Sequence, residues 1–265
     1  MKLFRKILYI SFWLLLLSGI CVTLSFVSKE HGKLRCSNVD VLIDDADNNQ
    51  FVSREDILRM ALDNMDSLNA QTIETIDISK LEKIFNTHPA ISNAEVSADI
   101  SGNIKIQITQ RRPIARFINA LGESYYMDEK GKLMVWMPNY TARLPVVTGD
   151  FYDGFALNNT LDFSRKDIND TLLKKNKLYG LYWLVRYIDS SEFWKAQIQQ
   201  IVVSKDGLEL IPTIGSHRIV FGEAEEIDEK FNKLMIFYSR GLSKIGWNVY
   251  SAINLKFKNN VICKK

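Results

Sequence analysis

The chain has 265 residues, with 34 basic and 31 acidic side chains and a formal net charge of +3. This balance excludes a dedicated nucleic-acid-binding protein, which carries a basic stripe or patch. Hydrophobic residues make up 46% of the chain. The length therefore allows one large or two small domains, each able to bury a core.

The first predicted element is an uncharged stretch of 21 residues, from Ile7 to Val27. A helix of this length spans roughly 32 Å, against a hydrocarbon core of about 30 Å. A cleavable signal has a shorter apolar core and a small-residue cleavage site, and Ser25-Phe26-Val27-Ser28 offers none. The sequence therefore predicts one transmembrane helix over residues 7–27.

Basic residues lie on both sides of this predicted span, three within residues 1–6 and three within residues 28–37. The first group is denser and includes the amino terminus, and long domains after a span are translocated largely regardless of their charge. We therefore expect a cytoplasmic tail at 1–6, a polar linker at 28–37 and an exported body beyond it.

The body begins with a predicted α+β domain over residues 38–112. Apolar residues alternate from Val39 to Ile43, as in a short strand. Ser53, with Asp56 three residues later, predicts the start of a first amphipathic helix.

A second helix and a hairpin complete this domain. Ser79 and Glu82 form a capping-box pattern, and Pro89 ends the helix. The period then changes to two in the segments 94–100 and 104–108, which are separated by Ser-Gly-Asn. The predicted order is strand, helix, helix, strand, strand.

Residues 113–265 predict a second, mixed domain of mainly antiparallel strands with helices. Period-two patterns indicate hairpins over 125–133 and 198–210, and helical spacing predicts a long helix over 171–190. The last element is a half-buried strand over Ala252–Cys263, in which Asn259-Asn260 makes a turn or bulge.

No constellation of residues indicates catalysis, a cofactor or a metal. The histidines, His31, His88 and His217, are isolated, without metal-ligand spacing. The acidic run 223–226 lies at a predicted helix start, where negative charge is favourable. Cys36 and Cys263 form either one disulfide or two free thiols.

One long phrase resembles a known family. His88 to Phe117, HPAISNAEVSADISGNIKIQITQRRPIARF, is similar to the signature of the FtsQ/DivIB bacterial cell-division proteins, in which hP-x-I-x-x-a-x-V, a hairpin and E-r-x-P-x-A follow in order. Pro113 and Ala115 match, whereas Gln110 stands where the family usually has Glu. The element order directly after a single span resembles a POTRA domain.

Later phrases resemble the same family, among them His217 to Leu242, which is similar to its strand, Gly and helix element with an internal K-x-x-x-L. Leu144 to Gly149 is similar to its L-P-x-x-x-G element. The closing AINLKFKNN is similar to v-D-L-R-y-x-n-g, with Asn254, Lys256 and Phe257 in place of Asp, Arg and Tyr.

The resemblance implies a non-enzymatic divisome scaffold at the septum of the bacterial cytoplasmic membrane. In this family the terminal strand region binds the coiled-coil partners FtsB and FtsL, which implies a site at Lys256, Phe257, Asn259, Asn260 and Val261. A second surface, for other divisome members, is implied at the edge of the POTRA hairpin, at Ile106 and Ile108.

From the residues alone, Lys256 and Lys258 have two equally good explanations. They either attract an acidic partner or only keep an edge strand soluble. The alternative function is a POTRA-bearing component of protein export or outer-membrane assembly.

Overall fold

The computed structural model describes residues 6, 9, 11–22, 36, 38–44, 50–64, 72, 75–99, 101–138, 140–158, 161–164 and 176–265. The chain divides into two compact units, Met1–Gln110 and Arg111–Lys265. Each unit is a separate mixture of helices and strands.

The first unit contains three helices and three strands among its described residues. They are α1 (residues 11–22), β1 (Asn38–Asp44), α2 (Arg54–Asn64), α3 (Ile78–Asn86), β2 (Ile91–Ala98) and β3 (Asn103–Gln110). No helix within the described residues is long and apolar enough to cross a membrane. Ile7 and Val27, which bound the predicted span, and nearly all of the 28–37 linker lie outside those residues.

The order strand, helix, helix, strand, strand is confirmed. The three strands form one sheet in the order β1-β3-β2, with β1 parallel and β2 antiparallel to β3. The helices close its core, since Ile57 of α2 and both Leu81 and Phe85 of α3 are fully buried.

The predicted hairpin edge at Ile106 and Ile108 is wrong. Their strand, β3, lies at the centre of the sheet because β1 pairs with it along its whole length, from Asn38 opposite Asn103 to Asp44 opposite Thr109. Both isoleucine side chains have 0% exposure. Among the described residues, the outer strands of this sheet are β1 and β2, and Ile106 and Ile108 are core residues.

Of the two predicted helix caps, one is confirmed. The Ser53 backbone N–H donates to Asp56 Oδ2 at 3.0 Å, and the Asp56 N–H donates to Ser53 Oγ at 3.1 Å. The second helix begins at Ile78, and its cap is Asp77 instead of Ser79, since Asp77 Oδ1 accepts from the Lys80 N–H at 2.9 Å. Glu82 accepts from the Val96 N–H of β2 at 2.9 Å, so it joins helix to sheet.

The second unit is built around a nine-stranded sheet. Its elements are β4 (Pro113–Ile118), β5 (Ser124–Asp128), β6 (Leu133–Val135), β7 (Val146–Gly149), α4 (Phe155–Asn158), α5 (Lys177–Asp189), α6 (Glu192–Gln197), β8 (Ile198–Ser204), β9 (Gly207–Pro212), β10 (Arg218–Gly222), α7 (Ile227–Phe237), a π-helical turn (Tyr238–Leu242), α8 (Ser243–Ile245), β11 (Ala252–Asn254) and β12 (Ile262–Lys264).

The strand order is β12-β11-β10-β9-β8-β7-β4-β5-β6. Only β4 with β7, β7 with β8 and β10 with β11 pair in parallel, so the prediction of mainly antiparallel strands is confirmed. The long helix begins later than predicted, at Lys177. Asn176 is its N-cap, since Asn176 Oδ1 accepts a hydrogen bond from the Leu178 N–H. Residues 171–175 lie outside the described residues.

An aromatic cluster fixes α5, α6 and α7 against the sheet. The Phe231 ring of α7 lies 4.7 Å from Tyr187 of α5, 4.8 Å from Trp194 of α6 and 5.4 Å from Phe221 of β10, between ring centroids. Offset and tilted ring pairs at these distances are favourable beyond the area they bury. The cluster therefore gives α7 a fixed position beside the terminal strands.

Candidate partner-binding surface

The strand predicted over Ala252–Cys263, with a turn or bulge at Asn259-Asn260, forms two short strands and a loop; both asparagines lie in that loop, but the first strand ends earlier than predicted, at Asn254. Residues 252–254 form β11, residues 262–264 form β12, and residues 255–261 connect them. Asn254 ends β11, since its side-chain Oδ1 accepts from the Lys256 N–H at 2.9 Å. Asn commonly terminates regular structure in this way.

The outermost strand at this end of the sheet is β12. It pairs antiparallel with β11, Ile262 opposite Asn254 and Lys264 opposite Ala252, and no strand in the described part of the chain lies beyond it. The Ile262 side chain is 49% exposed. An edge of this kind can accept a strand from another chain through main-chain hydrogen bonds.

The five residues of the predicted partner site all lie in the loop next to this edge. Phe257 is 49% exposed, Asn259 and Asn260 are exposed, and Val261 is half-buried against the core. The loop thus brings these residues together, although none of them belongs to the edge strand itself.

Lys256 differs from its expected role as a free edge charge. Its Nζ donates to the Asp206 carbonyl oxygen at 3.0 Å, in the β8–β9 turn. The side chain reaches that turn by crossing Gly222, where an added Cβ would lie 2.9 Å from Lys256 Cγ. Lys258 is the more available cation, because its side chain is 73% exposed and its ion pair with Glu226 is long, at 3.9 Å.

A hollow of about 360 Å³ lies between this loop and α7. It is lined by Lys233, Ile236, Phe237, Arg240, Gly241, Asn259 and Val261. Of these, the residues from 233 to 241 were missed by sequence reasoning, although Lys233 and Ile236 of α7 lie three positions apart on one helix face and Arg240 follows in the π-helical turn. Helical spacing could have identified that face, but not the loop that packs beside it.

The surface is basic. Residues 252–265 contain Lys256, Lys258, Lys264 and Lys265 and no acidic residue, and Arg240 lines the adjacent hollow. Complementary charge directs association and discriminates against wrong partners. The chemistry of the surface therefore suits an acidic partner segment that contributes a strand.

The isolated histidines take structural positions. His217 is 2% exposed, with Nε2 2.9 Å from the Tyr238 hydroxyl and Nδ1 3.4 Å from the Trp247 carbonyl oxygen. His88 accepts from the Ala90 N–H at 3.3 Å, at the end of α3. His31 lies outside the described residues. Cys36 and Cys263 are free thiols.

The buried His217 predicts a pH dependence of stability. Burial lowers its pKa, although the Trp247 carbonyl opposes this effect. The unfolded chain therefore binds the proton first, and stability falls as the pH drops below about 6.5, by at most about 1.4 kcal/mol per pH unit for one group.

We expect His217→Gln to flatten this slope in urea unfolding of the second unit between pH 7.5 and 5. His88, whose pKa is also lowered by burial, serves as the comparison, because His88→Gln should leave the slope of the second unit unchanged. An unaltered slope in His217→Gln would contradict the assignment.

The order β-α-α-β-β in the first unit, followed by a large mixed sheet in the second, is the arrangement that the comparisons with known proteins also indicate. The model of the POTRA-like domain matches residues 34–109, and the model described as FtsQ/DivIB, C-terminal related, matches residues 112–264. The second match covers more than half of the chain. The chain belongs to the FtsQ/DivIB family.

A curated relative agrees with this assignment. The cell division protein FtsQ of Myxococcus fulvus (strain ATCC BAA-855 / HW-1) is 30% identical over 108 residues. The match covers 40% of this chain and 36% of that relative, so the chain spans about a third of the length of the relative it matches.

Proposed function

We propose that the chain is a non-enzymatic scaffold of the bacterial divisome, which binds small coiled-coil membrane proteins of the FtsB and FtsL type through its terminal surface. The terminal surface comprises β12, the loop 255–261 and the hollow beside α7. Family membership supports the role in division. The observation that supports the partner site is the outer side of β12, which pairs with no other strand of the described residues and lies next to a basic loop.

The surface combines three means of recognition. The edge of β12 offers main-chain donors and acceptors, the hollow offers an apolar recess, and Lys258 with Lys264 offers positive charge. Main-chain pairing contributes affinity, whereas pockets for side chains and complementary charge contribute specificity. The partner segment would therefore be an extended acidic strand with at least one apolar side chain.

The scaffold would act from the cytoplasmic membrane, with residues 1–6 inside the cell and the body outside. The uncharged stretch from Ile7 to Val27 supports this topology, and the apolar side chains of residues 11–22 are exposed, Leu15 at 75%. Confinement to a membrane raises the effective concentration of other membrane-bound partners.

Photocrosslinking in dividing cells tests the surface. A photoreactive amino acid at Ile262 or Phe257 should capture a small coiled-coil membrane protein. The matched control is Ile214, an apolar residue that is 58% exposed in the turn after β9; it should capture none. Depletion of the protein should also block septation.

Two results would overturn the proposal. Normal septation after depletion would remove the role in division. Equal capture of the same protein at Ile214 and Ile262, or capture at neither Ile262 nor Phe257, would remove the terminal surface.

A further inference from the structure

A single lysine of α7 binds the backbone of the terminal loop. Lys233 Nζ donates to three carbonyl oxygens, of Leu255 at 3.3 Å, Phe257 at 2.8 Å and Lys258 at 3.2 Å. An ammonium group has three donors and no acceptor. The three carbonyl groups therefore match its full donor capacity.

Among the described residues, the other hydrogen bonds of this loop lie at its start; beyond them, Lys258 makes a long ion pair with Glu226 and Val261 packs against the core. The Leu255 N–H donates to the Val220 carbonyl at 2.9 Å, and Lys256 bonds to Asn254 and to Asp206. Within the part of the chain that the structure describes, the hydrogen bonds of Lys233 are the ones that reach the backbone of Phe257 and Lys258. Without a cation, their carbonyl dipoles would point at one another.

The position of Lys233 is itself fixed. Its helix is held by the aromatic cluster around Phe231, and its side chain also lines the hollow beside Val261. The hydrogen bonds of the Lys233 ammonium thus hold the exposed loop in a fixed position relative to the packed helix α7. Loops that are ordered before binding lose less conformational freedom when a partner docks.

We propose that Lys233 is a positioning residue of the terminal surface: its ammonium holds the loop 255–261 in the shape that the partner meets. The inference rests on the proposed function for the identity of the partner. The ordering of the loop by Lys233 stands independently of it.

The test compares Lys233→Met with Lys244→Met in the full-length chain purified in mild detergent. Methionine keeps an apolar stem beside the hollow and removes the ammonium, and Lys244 is an exposed lysine of α8. In Lys233→Met, amide hydrogen exchange of residues 256–261 should accelerate, whereas the melting temperature should change little. The Kd for the purified FtsB-type protein of the same organism should rise roughly tenfold. Lys244→Met should match the wild type in all three measurements.

A third variant keeps the test decisive if Lys233→Met is globally destabilised. Lys233→Arg retains the charge but presents a planar fork, so it should give loop exchange and affinity between those of the wild type and Lys233→Met.

Unchanged exchange of residues 256–261 in both variants would overturn the positioning role, whatever the affinity. Weaker binding with unchanged exchange would show instead that Lys233 contacts the partner. A wild-type chain that binds no FtsB-type protein would overturn the proposed function, and the exchange data would still decide whether Lys233 orders the loop.

Discussion

Gly149→Ala should destabilise the second unit by roughly 3–5 kcal/mol, since strain at positive φ and overpacking act together. Gly149 ends β7 with φ +120°, and a Cβ there would lie 2.1 Å from the Val203 carbonyl oxygen. The Asp150 N–H donates to that same oxygen at 2.8 Å. The clash is between β7 and β8, and both are interior strands of the sheet. Neither β7 nor β8 can therefore move away from the other without losing inter-strand hydrogen bonds.

The matched control for this substitution is Gly122, which has φ +81° but no atom within 4 Å of an added Cβ. Gly122→Ala should cost only the left-handed backbone energy, about 1–2 kcal/mol. Urea unfolding followed by tryptophan fluorescence compares the two variants with the wild type. Equal losses would show that the contact with Val203 relaxes freely.

Asp189→Asn should destabilise the second unit by about 2 kcal/mol at neutral pH, because hydrogen bonds between ionised groups are the strong ones. Asp189 lies at the end of α5 with its side chain 11% exposed. It accepts two bonds from the Arg112 guanidinium, at 2.7 and 3.0 Å, and pairs with Lys195 at 3.1 Å. Arg112 also binds Glu129 at 2.8 Å, so Asp189 helps to join the start of the second unit to α5.

The same pair predicts the behaviour of the protein in acid. Burial would raise the pKa of Asp189, but the bonds from Arg112 and Lys195 outweigh it and hold the pKa below its usual value. As the pH falls, the Asp189 carboxylate is therefore protonated in the unfolded chain before it is protonated in the folded chain. The stabilisation is lost as the pH falls from about 4 through the lower pKa of the folded state. The difference between wild type and Asp189→Asn should shrink over that range.

Thermal unfolding from pH 7 to pH 3 measures this difference. Asp206→Asn is the control, since its carboxylate makes no ion pair or hydrogen bond among the described residues and is exposed. The interpretation fails if the two variants lose the same stability at pH 7, or if the effect of Asp189→Asn is constant with pH.

The sequence predicted correctly those helices and strands whose formation depends on residues close together in the chain. The hairpin of β2 and β3 follows from alternation around a turn, and the helix start at Ser53 follows from its reciprocal bonds with Asp56. At the second helix, Ser79 and Asp77 are both suitable caps. Asp77 is the cap, whereas Glu82, the partner that a capping box at Ser79 would need, accepts from the Val96 N–H of β2, a contact that sequence spacing does not reveal.

Pairing between distant segments explains the larger errors. The central position of Ile106 depends on β1, since Val41, 65 positions earlier in the chain, lies opposite Ile106. At the candidate surface, too, contacts between distant segments could not be predicted from local sequence patterns. Its loop residues could be named from the resemblance, but Lys233 and the contact between Lys256 and Asp206 depend on where α7 and the β8–β9 turn lie in space. The alternation of Ile253, Leu255 and Phe257 suggested one strand, and the side chain of Asn254 interrupts it.

The continuity of the large sheet sets a length scale for the second unit. Eight inter-strand steps separate β12 from β6, which at about 4.8 Å each places the two edges roughly 38 Å apart. A strand added to β12 would therefore lie at the opposite edge of the sheet from the exposed Trp136, which follows β6. A fluorophore at that far edge and a second one on a strand bound at β12 would be separated by a distance well suited to energy transfer, so the sheet can serve as a ruler for assembly in the living cell.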